Sequence, residues 1–142
     1  AVEEALCFGW IDGHLKSFEG CGALQRFTPR SRGSSWSELN KERVRRLERL
    51  GKMTDVGRAC LPAMGPRSFR IYEGIEGELK KARLWTRFKS FPPLYQRVRA
   101  DNIQRVRSRP DEYRKRLDRL IEATRQGKLY GEWDDFGRLS MQ

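Results

Sequence analysis

Arg26, Thr28, Arg30 and Arg32 crowd into seven residues and lead directly to Ser35. Ser35 is a good helix N-cap, and Glu38 lies at the capping-box spacing behind it. A helix that starts at Ser35-Trp36 offers unpaired backbone N–H groups and the positive end of its dipole. Arginines beside such a start make a site for a carboxylate, phosphate or sulfate. Trp10 and Asn40 supply candidate walls, and Asp12 a carboxylate to orient Arg26 or Arg30. The candidate anion pocket is therefore Trp10, Asp12, Arg26, Thr28, Arg30, Ser35, Trp36 and Asn40. The plainer reading of the same residues is structural. Ser35 and Glu38 then satisfy the helix start, Trp10 packs, Asn40 makes a buried hydrogen bond, and Arg30 pairs internally with Asp12.

Other chemistries find little footing. There is one histidine, and Cys7, Cys21 and Cys60 are odd in number and widely spaced, with no CxxC. That spacing matches no zinc pattern, so neither a metal nor an organic cofactor is expected. No P-loop, GxSxG or HExxH occurs, and Glu3-Glu4 and Asp134-Asp135 read as surface charge. Cys7 falls in a short helix and reads as packed rather than reactive. The expectation is a protein without enzymatic activity. The thiols fit a reducing cytoplasm, with the periplasm as the alternative if a removed N-terminal segment held a signal.

The 142 residues suit one domain, 1–142, with 1–61 carrying the motifs and 75–128 a basic helical region. Apolar residues make up 37% and charged residues 35%, so the core must be economical and the surface crowded with charge. Four Trp, seven Phe and four Tyr exclude a disordered chain. No run of 18 uncharged apolar residues exists, so no membrane-spanning helix is expected. The net charge is +11, with 22 Arg against 8 Lys. Such a balance calls for an anionic ligand, an acidic protein partner, or weak salt-sensitive binding to polyanions. Residues 94–128 hold eleven basic against five acidic residues. There Arg97, Arg105, Arg109 and Arg116 form a candidate ridge, with Tyr95 and Tyr113 nearby. The second functional reading is therefore a basic nucleic-acid-binding domain, though without a recognised base-reading motif.

The elements that must position these residues follow from pattern. Residues 1–8 suit a short helix stopped by Gly9, and residues 10–28 a loose β-hairpin turning at Glu19-Gly-Cys-Gly22. Trp36, Leu39, Val44, Leu47 and Leu50 mark a helix ended by Gly51, with Lys41 and its charged neighbours outward. Thr54 caps a short helix to about Leu61. Residues 76–88 read as one helix. Pro92-Pro93 opens the next, with Tyr95, Val98, Asn102, Ile103 and Val106 inward. Pro110 opens a last helix closed by Gly127, and Trp133 and Phe136 are expected to dock from the tail. The fold class expected is α+β: a mainly α-helical single domain with an N-terminal β-hairpin.

Three segments together carry a resemblance. They are Glu4-Ala-Leu-Cys-Phe-Gly-Trp-Ile-Asp-Gly13, Arg26-Phe-Thr-Pro-Arg30 with Ser34-Ser-Trp-Ser-Glu-Leu-Asn40, and Arg43–Leu50 leading into Gly51-Lys-Met-Thr54 and Gly57. Over about residues 1–61 the chain resembles the YdeI/OmpD-associated, or bacteriocin-protection, family. Residues 75–128 follow that family's outline more loosely. Its Ala-Lys and Thr-Arg pairs around the proline read Arg107-Ser108 and Glu112-Tyr113 here. Relative to the family, the chain is expected to lack an N-terminal segment with a Trp-rich strand. The resemblance implies a stress-protection protein linked to resistance against cationic antimicrobial peptides, with no known reaction and no cofactor. Its usual description implies a periplasmic place. A chain of +11 repels a cationic peptide at long range, so direct capture of such peptides is not expected.

Overall fold

The computed structural model describes residues 2–18, 22–29, 36–65 and 67–139, with side-chain surroundings for 3–10, 36–65 and 67–139. The chain divides into two compact units. One is Ala1–Trp36 with Asn40–Gly65, the other Ser37–Leu39 with Pro66–Gln142.

In the first unit, helix α1 (Val2–Cys7) ends where Gly9 turns to φ +78°. Strands β1 (Trp10–Phe18) and β2 (Gly22–Pro29) run antiparallel as a two-stranded ribbon, and their register shifts between Asp12 and Leu15. Helix α2 (Glu38–Arg49) carries Val44 and Leu47 into a core with Leu6, Cys7, Trp36 and Met53. The helix closes as a Schellman turn: Lys52 N–H donates to the Leu47 carbonyl and Gly51 N–H to that of Glu48, with Gly51 at φ +69°. Helix α3 (Asp55–Ala59) is capped by Thr54, whose Oγ1 accepts from Gly57 N–H and donates to the Cys7 carbonyl. Gly57 is required by this approach to α1. A Cβ there would lie 2.2 Å from the Cys7 carbonyl oxygen.

The second unit holds α4 (Glu73–Lys81), α5 (Trp85–Lys89), α6 (Pro93–Gln104) and α7 (Pro110–Arg125). Ile75, Leu79, Leu84, Phe88, Tyr95, Ala100, Ile103, Leu117 and Leu120 form its core. The single helix expected over 76–88 is two helices. Arg83 stands between them at φ +59°, with Leu84 N–H bonded to the Leu79 carbonyl at 2.8 Å and Arg83 N–H to that of Lys80 at 3.0 Å. This is a Schellman turn with arginine where glycine is usual. Leu79 and Leu84 are both buried, and their contact offsets the cost of a left-handed residue. No glycine marks the break, so spacing alone does not reveal it. Pro93 and Pro110 take the first helical turn of α6 and α7, where a missing N–H costs nothing.

The expected α+β class, with an N-terminal hairpin as its second layer, is corrected. Helix accounts for 58% of the residues whose surroundings are described, and apart from Trp10 at the start of β1 no strand residue is among them. Both hydrophobic cores consist of residues from helices and loops. An isolated two-stranded ribbon is marginal on its own, and the burial seen among the described residues lies with helices and loops. Smaller corrections follow. Helix α2 begins at Glu38 rather than Ser35-Trp36, and within the second unit the Glu38 N–H is taken by Asp101 Oδ2 at 3.1 Å. Lys41 is buried rather than outward, while Leu50 and Asn102 are exposed. Trp133 docks edge-on against Tyr95, but Phe136 stands 75% exposed.

Two substitutions test these local arguments. Gly57→Ala is expected to destabilise the protein by about 1–3 kcal/mol, the usual cost of overpacking. Arg83→Gly is expected to stabilise it by about 0.5–1 kcal/mol, because the left-handed turn then costs less. Denaturant midpoints at unchanged m-value check both signs.

Candidate arginine and aromatic site

The carboxylates of helices α6 and α7 are nearly all committed. Asp101 Oδ2 accepts from Arg105 at 3.0 Å, Glu112 from Arg116 at 2.8 Å and Glu122 from Arg125 at 2.8 Å. Asp118 is held by Arg114. These are i,i+3 and i,i+4 pairs, the spacing at which neighbours on one helix face meet. Arg116 also holds the Glu112 carboxyl below its ordinary range, chiefly by its hydrogen bond.

Arg99 on α6 and Arg119 on α7 differ from these. Both guanidiniums lie over one ring, that of Tyr130, at 5.1 and 4.4 Å from its centroid. Among the described residues, no ion pair joins either to a carboxylate, and the Arg99 Nε is buried without a hydrogen-bond partner. Tyr130 is placed by Tyr95, which is wholly buried and meets it edge-on at 6.3 Å. Phe91 and Trp133 meet Tyr95 edge-on as well, at 5.5 and 5.7 Å. Gly131 completes the arrangement at φ +81°, where a Cβ would stand 2.6 Å from Arg99 Nη1. Burial pushes the Tyr130 phenol up, against the downward pull of Arg99, Arg119 and Arg116. Burial likewise pushes Tyr95 up, to about 12.

A second feature of this unit is an open groove of about 680 Å³, lined by Phe69, Ile71, Trp85 and Pro93 and by charged Arg70, Glu73, Glu76, Lys89 and Arg97. The amines of Lys80 and Lys89 each lie 5.6 Å from the Trp85 ring. Glu73 and Glu76 offset the groove's cations, so it favours an anion less than the paired arginines do.

The residues singled out from sequence fall in several places. Trp10 is 39% exposed, whereas Trp36 and Asn40 are buried in the first unit. Asn40 Oδ1 accepts from Arg43 Nη1 at 2.8 Å, within its own helix. In the ribbon, Asp12 pairs with Phe27 and Thr28 with Ile11, so neither Arg26 nor Arg30 is the cross-strand partner of Asp12. The side chains of Asp12, Arg26 and Thr28, and all of Arg30 and Ser35, lie outside the described residues. Of the expected ridge, Arg105 and Arg116 are ion-paired, and Arg109 is exposed. Tyr95 is buried and Tyr113 half-buried, which withdraws the Tyr95 ring from stacking on a base. Cys7 is buried in the first core, and burial raises its thiol. Among the described residues, no three His, Cys, Asp or Glu side chains converge as metal ligands, and no helix is long and apolar enough to cross a membrane.

Sequence reasoning missed Arg99, Arg119 and Tyr130 as a group. A signal existed for Arg99: its i±3 and i±4 neighbours are Tyr95, Gln96, Asn102 and Ile103, with no acid among them. Tyr130 carries no such signal, because it lies beyond the helix in the tail.

Residues 1–60 match a family described as a domain of unknown function, DUF8412. No curated protein and no solved structure matches the chain. The family match leaves the residues of the arginine pair uncovered.

The Tyr95 shift sets the sign of an alkaline effect. The folded protein keeps a phenolic proton that the unfolded chain releases near pH 10. Tyr95 therefore contributes stability that is present below pH 10 and is lost as pH rises through about 12. Tyr95→Phe is expected to flatten that decline, as followed by denaturation at pH 9 to 12. A phenolate absorbance titration is expected to show one fewer late-titrating tyrosine in the variant.

Proposed function

We propose that the protein is a non-enzymatic binding protein of the YdeI/OmpD-associated, stress-protection type, and that its ligand is anionic. The observation that carries this reading is the commitment of the α6–α7 carboxylates. Asp101, Glu112, Asp118 and Glu122 are paired with other arginines, while Arg99 and Arg119 face an aromatic ring instead. On this reading the positive charge is arranged to meet a ligand rather than merely to be solvated. The net charge of +11 supports it by drawing anions from solution. The resemblance over residues 1–61 supports the stress-protection type and requires no reaction. The thiols favour a reducing compartment, the cytoplasm.

A nucleic acid is the second reading, favoured by the aromatic Tyr72, which is 37% exposed with Arg107 5.4 Å over its ring. Exposed rings beside arginines suit stacking on single strands.

Heparin and a single-stranded oligonucleotide, titrated against salt by fluorescence anisotropy, test both. The anionic-ligand reading expects binding at low salt that weakens steeply as salt rises and is indifferent to sequence. Affinity that survives 200 mM salt and prefers one sequence would give the nucleic-acid reading precedence. Absence of any polyanion binding at low salt would overturn both.

A further inference from the structure

We propose that Arg99 and Arg119, braced on Tyr130, form a clamp for a phosphate group carrying two negative charges. The proposal rests on the anionic-ligand reading and goes beyond it by naming the residues and the ligand chemistry. Two guanidiniums over one ring repel each other, and no carboxylate among the described residues is paired with either. A dianion seated between them removes that repulsion. Arg99 also hydrogen-bonds the Tyr130 side chain, which fixes it in place. The remaining guanidinium N–H groups of the pair match the oxygens of a phosphate.

The clamp is built in advance. Arg99 and Arg119 stand on separate helices of one unit, and Tyr130 is fixed edge-on against the buried Tyr95. Gly131, at φ +81°, lies directly against the Arg99 guanidinium. Donor capacity is left over in the clamp, since Arg99 Nε is buried without a hydrogen-bond partner among the described residues. Prearranged donors of this kind lose little freedom when a ligand arrives. The acids nearest in sequence, Asp101 and Asp118, do not compete, because Arg105 and Arg114 hold them.

The test is a titration of the intact protein with inorganic phosphate, at constant ionic strength, followed by NMR of the arginine Nε–H and the Gly131 amide. Phosphate is expected to shift the Arg99, Arg119 and Gly131 signals together. R99Q and R119Q are each expected to weaken phosphate binding about tenfold, one charge-assisted contact being lost. R99K and R119K keep the charge but lose the fork, and are expected to recover only part of that loss. R109Q removes an equal charge from an exposed position and is expected to change affinity less than twofold. Should R99Q lower the melting temperature too far to study, exposed Arg119 decides through R119Q. Phosphate binding unchanged in R119Q, or equally weakened by R109Q, overturns the clamp. The same variants in the heparin assay separate the two levels. If heparin binds the unmodified protein while phosphate does not, the clamp fails and the anionic-ligand reading stands. If neither binds, both fail. A single-stranded oligonucleotide lacking terminal phosphates, tested alongside, separates sources. If it binds with a salt slope about 0.7 smaller in R119Q, the clamp grips backbone diesters and the dianion assignment is overturned.

Discussion

Tyr95 is the side chain on which the second unit's arrangement turns. Its ring is wholly buried, and three other rings meet it edge-on. Each such contact adds about 0.5–1.5 kcal/mol beyond the area it buries. Two of the three partners, Tyr130 and Trp133, come from beyond the turn at Gly127, where no helix or strand occurs among the described residues. Without Tyr95 that tail has few apolar anchors left to order it. The cost is a phenol taken out of water, and its raised pKa is the trace of that cost. Because Tyr130 is held by Tyr95, the two arginines over Tyr130 depend on an apolar contact made one layer deeper.

A charge-rich surface imposes the other constraint. With 30 basic and 19 acidic residues, some cations must go without a carboxylate. Helix geometry decides which. Arg105, Arg114, Arg116 and Arg125 each have an acid three or four positions away and use it. Exposed pairs of this kind contribute little to stability, yet they remove acids that would otherwise compete for neighbouring arginines. Arg99 has no such acid in reach. Glu122 lies three positions after Arg119 but is shared between Arg125 and Gln126. The aromatic ring takes the role that a carboxylate plays elsewhere, and it does so without neutralising the charge.

The helical part of the fold was largely legible in the sequence, because its signals are local. Pro93 and Pro110 open helices, Gly51 and Gly127 close them, Thr54 caps one, and Leu117, Leu120 and Thr124 recur on one face. Elements set by distant contacts were not legible. Arg83 breaks a helix through a left-handed turn that Leu84 stabilises by burial. Helix α2 starts late, at Glu38, whose N–H is taken by an acid 63 residues away. The α+β expectation failed at a higher level: alternation and a turn signal suggest extended chain, but say nothing of whether a sheet shares in a core. Within the site, the basic excess of residues 94–128 was plain, and the choice among its arginines was not. That choice depends on Tyr130, which reaches them through the tail.

The motif-rich start of the chain and the arginine pair therefore point in different directions. The resemblance and the family match both concentrate on the first 60 or so residues. There the two described pocket candidates with clear partners or burial serve structure: Trp36 packs in the core, and Asn40 receives Arg43 inside its helix. A buried amide already bonded has little left for a ligand. The two arginines that share an aromatic ring lie in the second unit. A chain of this charge repels a cationic peptide at long range, which disfavours direct capture of one. An anion is the partner its electrostatics favour. A protective role, on the reading proposed, is then exerted through a bound anionic species rather than through the peptide itself.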